Sequence, residues 1–170
     1  MSLSMYEASV PVFHRALTNL AAILHKAATH AQAKKFDPVV LVNARLAPDM
    51  LPLSRQIQIA SDHARGAAAR LAGLERPPVP DNEMTLDDLQ ARIASTIAYL
   101  DTLKPAQIDG SEQREITLPL RTGEIKLKGQ PYLLYFAFPN FWFHVTTAYA
   151  ILRHNGVDIG KQDFIGSLPT

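Results

Sequence analysis

The chain has no cysteine. Disulfides, thiolate nucleophiles and cysteine-ligated zinc are thereby excluded, and nothing marks an oxidising compartment, so a cytoplasmic location is the expectation. An excess of charge of either sign is lacking too. The 17 Lys and Arg residues stand against 16 Asp and Glu, a formal net charge of +1, which provides no field to hold nucleic acid or anionic lipid. Basic residues come in pairs, Lys34-Lys35 and Lys126 with Lys128, and acidic neighbours offset them. The N-terminal MSLSMYEASVPVF has neither the positive start nor the apolar core of a secretory signal, and the most apolar run, Gln130 to Gly156, is broken by Pro139, Asn140 and His144. Both features argue against a membrane partner. No serine stands in a nucleophile-elbow context and no glycine-rich loop follows a strand, which leaves hydrolase and nucleotide-binding chemistry without a motif.

What is present is apolar sequence with helical spacing. Hydrophobic residues make up 47% of 170, enough for one domain, 1–170, built around a single core. From Met5 to about Ala33, Val10, Phe13, Leu17, Leu20, Leu24, Ala27 and Ala31 recur at steps of three and four and predict a long amphipathic helix, with Pro11 confined to its first turn or to a kink. Phe36 to Ala47 reads as a short helical connector opened by Asp37-Pro38. A second long helix is expected from about Asp49 to Leu71, with Gly73 as its stop. Pro77, Pro78 and Pro80 then enforce an extended connector, and Thr85 with Asp88 forms an acidic capping box for a third helix that closes at Lys104-Pro105.

Between Asp109 and Gly129 the period changes to two. Ile116, Leu118 and Leu120 alternate with polar residues, as do Ile125 and Leu127 beyond Arg121-Thr122-Gly123, which predicts a β-hairpin. The fourth helix runs from Gln130-Pro131 to His154-Asn155-Gly156. It is apolar nearly all round and carries Tyr132, Tyr135, Phe136, Phe138, Phe141, Trp142, Phe143 and Tyr149. A helix of that kind is expected to be covered on every flank, as the centre of a bundle, in a homodimer interface, or both. The segment to Thr170 reads as coil anchored by Ile159 and Phe164. The fold class is therefore all-α, a four-helix bundle with a small hairpin between helices three and four.

NARLAPDMLPLSRQIQIASDHARGAAARLAG, PAQIDGSEQREITLPL and FPNFWFHVTTAYAILRHNGVDIGKQDF together resemble a bacterial family without an established activity that is classed with the DinB/YfiT-like metalloenzymes. The resemblance covers essentially the whole chain. It implies a DinB-like four-helix bundle, usually dimeric, in which some members bind a divalent metal through three histidines and use it to activate a small thiol for transfer chemistry. One metal-ligand motif of that superfamily is a histidine followed one turn later by another. Here His144 is followed by Thr147 and Ala148. The remaining ligand would fall near Gln56 to Ile59, where no histidine stands. The implied site is degenerate, and the implied role is ligand-holding or structural; the alternative is a metal-dependent, thiol-linked transferase with a reduced histidine set.

The candidate residues follow from position. His144 shares a small polar notch with Asn140 and Thr147, and is either a buried histidine bonded across the bundle or a metal ligand. His63 lies seven residues after Gln56, near the same face. It either borders water or meets His144, in which case the two imidazoles make a weak site for zinc or nickel. His14, His25, His30 and His154 read as structural or surface residues. Asp62-His63 is no catalytic dyad, because adjacent helical residues point about 100° apart.

Overall fold

The apolar stripe of the first helix, from Val10 to Ala31, is buried throughout. A computed structural model describes residues 3–120 and 123–168, and in it α1 spans Val10–Lys34, with Pro11 in its first turn. The helix starts later than Met5 because proline donates no amide hydrogen and belongs at a helix start, and residues 5–9 form turns instead. A short α2, Val39–Asn43, begins where the Asp37 carboxylate accepts the Val39 N–H at 2.9 Å.

The second long helix, α3, spans Leu53–Ala72 rather than starting at Asp49. Pro52 disfavours helical backbone at Leu51 and itself takes ψ 168° at the helix entry, so the expected first turn cannot form. Gly73, at φ 71°, ends the helix in the left-handed conformation that costs glycine least. After the proline connector, α4 covers Leu86–Thr102. The capping box is present: Thr85 Oγ1 accepts the Asp88 N–H at 3.1 Å, and the Asp88 carboxylate accepts the Thr85 N–H at 2.9 Å.

A four-residue α5, Pro105–Ile108, and a 3-10 turn, Ser111–Gln113, lead into the hairpin of β1, Glu115–Leu120, and β2, Gly123–Lys128. The strands are antiparallel, with Ile116 opposite Leu127 and Leu118 opposite Ile125. Ile116 and Leu118 are buried and Leu127 is partly buried against the core, whereas Ile125 is exposed, so β1 supplies most of the packed face. Arg121 and Thr122 of the expected turn lie outside the described residues.

The last helical path is not one regular helix. It consists of α6, Gly129–Tyr132, a π-helical turn, Leu133–Ala137, and α7, Phe138–His154. The wider turn precedes Pro139, which cannot donate to the preceding turn. The tail expected as coil holds a short α8, Lys161–Ile165. Its Phe164 ring packs on Trp142 and Tyr149 at 6.0 and 5.7 Å, and Arg15 and Asn19 of α1 donate to the Ile165 carbonyl at 2.8 and 3.0 Å.

Helices α1, α3, α4 and α6–α7 pack as a bundle in which α3 faces both α4 and α7. Ala60, Ala64, Ala67 and Ala68 of α3 are fully buried, and such small side chains let neighbouring helices approach closely. The most enclosed helix is thus α3. The expectation that the last segment is covered on every flank is not met within one chain: Phe141, Val145, Ala148 and Leu152 of α7 are buried, but Leu134, Tyr135 and Phe143 are 43%, 79% and 56% exposed. Among the described residues no helix is long and apolar enough to cross a membrane.

Candidate functional site

Gln56, His63, Gly66 and Arg70 succeed one another on α3 at intervals of seven, three and four residues, so all four lie along one stripe of the helix. Gln56 is buried. Its Nε2 donates to the Leu51 carbonyl at 2.9 Å, which turns its Oε1 toward α7, where His144 Nδ1 lies 2.7 Å away. A carbonyl oxygen only accepts, so Nδ1 of His144 carries the hydrogen and Nε2 holds the free lone pair. Burial lowers the His144 pKa from its ordinary value. The imidazole is therefore neutral at neutral pH.

His63 and His144 do meet. Their rings are nearly parallel, 14° apart in plane and 5.9 Å apart in centre, and the Phe136 ring stands 6.0 Å from His63 on another side. The His63 pKa is lowered to about 4, first by burial and then by the neighbouring His144, Arg70 and Arg76. The other two expected members of the notch turn back onto their own helical path. Asn140 Nδ2 donates to the Phe136 carbonyl and Thr147 Oγ1 to the Phe143 carbonyl, both at 2.7 Å.

The His63 end opens into a recess of about 250 Å³ lined by Ile59, Asp62, His63, Arg70, Arg76, Leu118, Pro119 and Phe136. Arg70 donates to the Tyr132 hydroxyl at 3.3 Å and lies over that ring. Asp62 is not free to act on His63. Its carboxylate pairs with Arg76 at 3.2 Å and with Arg92 at 2.9 Å. Arg92, with 1% of its side chain exposed, also pairs with Asp81 and Glu83 at 3.0 and 2.8 Å, which fastens the proline connector across α3 and α4.

The donor set does not fit a three-histidine metal centre. It offers two imidazoles, one of which is bound through Nδ1 to a glutamine carbonyl, and two guanidinium groups stand at its open end, where they repel a divalent cation. Among the described residues no three His, Asp or Glu side chains are grouped to hold a metal ion. The remaining histidines lie elsewhere: His14 is 3.4 Å from Asp101, His30 is edge-on to Phe36 at 5.8 Å, and His25 and His154 are exposed.

A family model described as a domain of unknown function, DUF1993, matches residues 5–165. The chain belongs to the DUF1993 family. It is also similar to a DinB family member protein from Shewanella denitrificans, known from a crystal structure, at 43% identity over 97% of this chain and 93% of that one, with a TM-score of 0.92. The DUF1993 chain is thus a DinB-like helical-bundle protein. Among curated proteins no match is found.

The sequence reading named His63, His144 and Gln56, and Tyr132 and Phe136 as members of the aromatic run, but passed over Arg70 and Arg76. A signal for Arg70 is present in the spacing His63, Gly66, Arg70 on one helical stripe. Arg76 carries none, since its place depends on how the connector folds back over α3.

Proposed function

We propose that this protein is a non-catalytic DinB-like bundle in which the position of the superfamily's metal site serves a ligand-holding or structural role. The observation that supports it is the Gln56 to His144 hydrogen bond: a neutral amide stands close to where the resemblance puts a ligand, and it fixes the His144 imidazole of the last helix through its Nδ1. The test is metal analysis of protein purified without an affinity tag, alongside His144→Ala. The proposal expects no stoichiometric metal in either. Stoichiometric zinc, nickel or iron that is lost in His144→Ala contradicts it.

That contradicting result would favour a second reading, a metal-dependent, thiol-linked transferase using His144 and His63. Its support is that burial lowers the pKa of both imidazoles, which favours the unprotonated form a ligand histidine needs, and that the two rings sit side by side.

The proposal includes a cytoplasmic bacterial homodimer that uses the open flank of the last helical path, with neither nucleic acid nor membrane as a partner. Leu134, Tyr135 and Phe143 on that flank are large apolar side chains left in water by a single chain. Sedimentation at micromolar concentration is expected to give twice 18.8 kDa; a clean monomer contradicts the dimer.

A further inference from the structure

We infer that the recess between α3, β1 and the π-helical turn is a binding site for a compact organic monoanion, a carboxylate on an aromatic or branched apolar body. Arg70 and Arg76 hold the carboxylate, and Ile59, Leu118, Pro119 and Phe136 receive the body. The inference deepens the ligand-holding reading and rests on it.

Charge accounting carries the first step. Arg55, Arg76 and Arg92 pair with the carboxylates of Asp62, Asp81 and Glu83, three cations against three anions, and Arg70 stands outside these pairs. Asp62 is shared between Arg76 and Arg92, and Arg55 and Arg92 share Asp81. Among the described residues Arg70 has no carboxylate; its recorded partners are the hydroxyl and ring face of Tyr132. The guanidinium left over therefore lines a recess with one unit of positive charge in excess. It has further N–H groups in the fork geometry that matches a carboxylate.

Gly66 supports the same reading. A Cβ at Gly66 would stand 2.8 Å from Arg70 Nη1 and 3.3 Å from Arg76 Cδ, so both arginine side chains lie close over the space that Gly66 leaves open, and a side chain there would shift the Arg70 guanidinium. In the interior of a helix glycine is worse than alanine, and the clearance beside the two arginines is what offsets it here. His63 adds a neutral imidazole at the inner wall, able to accept or donate without adding charge. A volume of about 250 Å³ is below the usual range for larger ligands, and four of the eight lining residues are apolar. Both features favour a small anion with an apolar body over a bare oxyanion.

The test uses the full chain treated with chelator, titrated at pH 7 with benzoate, with its neutral isostere benzamide and with inorganic phosphate, while the His63 imidazole is followed by NMR. Benzoate is expected to bind saturably and shift His63, with benzamide and phosphate roughly tenfold weaker or worse, as loss of a charge-assisted pair or of apolar contact implies. Arg70→Gln is expected to weaken benzoate by about the same factor. Gly66→Ala should keep the fold, because alanine favours the helix, and still lose benzoate by displacing the guanidinium. Equal binding of benzamide, equal or tighter binding of phosphate, unchanged affinity in Gly66→Ala, or no saturation with any of the three overturns the assignment. Metal content is read separately, so failure of this assignment is told apart from failure of the non-catalytic reading.

Discussion

Gln56 Oε1 lies 2.7 Å from His144 Nδ1 across the contact of α3 with α7. Because the same glutamine donates to the Leu51 carbonyl, it joins three elements: the loop before α3, α3 itself, and the last helix. Gln56→Leu keeps the volume and removes both bonds. It leaves a half-buried imidazole N–H and a backbone carbonyl without these partners, and the expected loss is about 1 kcal/mol in urea unfolding. A change below a few tenths would show that water replaces the amide freely.

Stability should depend on His63 in acid. Its folded pKa of about 4 lies below the ordinary 6.5, so between these values the unfolded chain binds a proton that the folded chain refuses. Stability therefore falls as pH drops from 6.5 toward 4, by up to about 3 kcal/mol for a shift of this size. His144, lowered in the same direction, adds to the trend. Asp62, Arg70 and Arg76 face the same space, so the comparison to make is wild type against His63→Leu. The variant is expected to have a flatter profile between pH 6.5 and 4.5, and identical profiles would contradict the shift.

Arg92 is the buried cation that organises the connector. Arg92→Leu removes its partner from Glu83, itself 7% exposed, and from Asp62 and Asp81. Asp62 keeps Arg76 and Asp81 keeps Arg55, so Glu83 is the carboxylate left buried without a cation, at an expected cost of about 3–5 kcal/mol. Denaturant unfolding checks this, and a cost below about 1 kcal/mol would mean that the carboxylates simply turn to water.

The architecture was legible where local chemistry decides it. The period of α1, the Thr85 and Asp88 cap, the Gly73 stop and the alternation of Ile116 and Leu118 are each set within a few residues of chain. The start of α3 was misjudged because Pro52 acts on the residue before it, and the π-helical turn and α8 left no periodic mark. For the site, helical phase was enough to bring His63, Gln56 and His144 to one face. It said nothing of Asn140 and Thr147 bonding back to their own helix, because either rotamer satisfies the same pattern. Arg76 reaches the recess, and Tyr132 reaches Arg70, only through long-range folding, and the open flank at Tyr135 and Phe143 reflects which side of the last helical path the bundle happens to use.

The central claim is that His144 is held by Gln56 through a protonated Nδ1 rather than by a metal. Long-range 1H–15N spectra of the tag-free protein at pH 7, recorded before and after one equivalent of zinc, test it directly. The account predicts an Nδ1–H tautomer for His144 that zinc leaves unchanged, and that is lost as a single defined tautomer in Gln56→Leu. A metal-bound nitrogen on His144 or His63, in the protein as purified or on adding zinc, would contradict it.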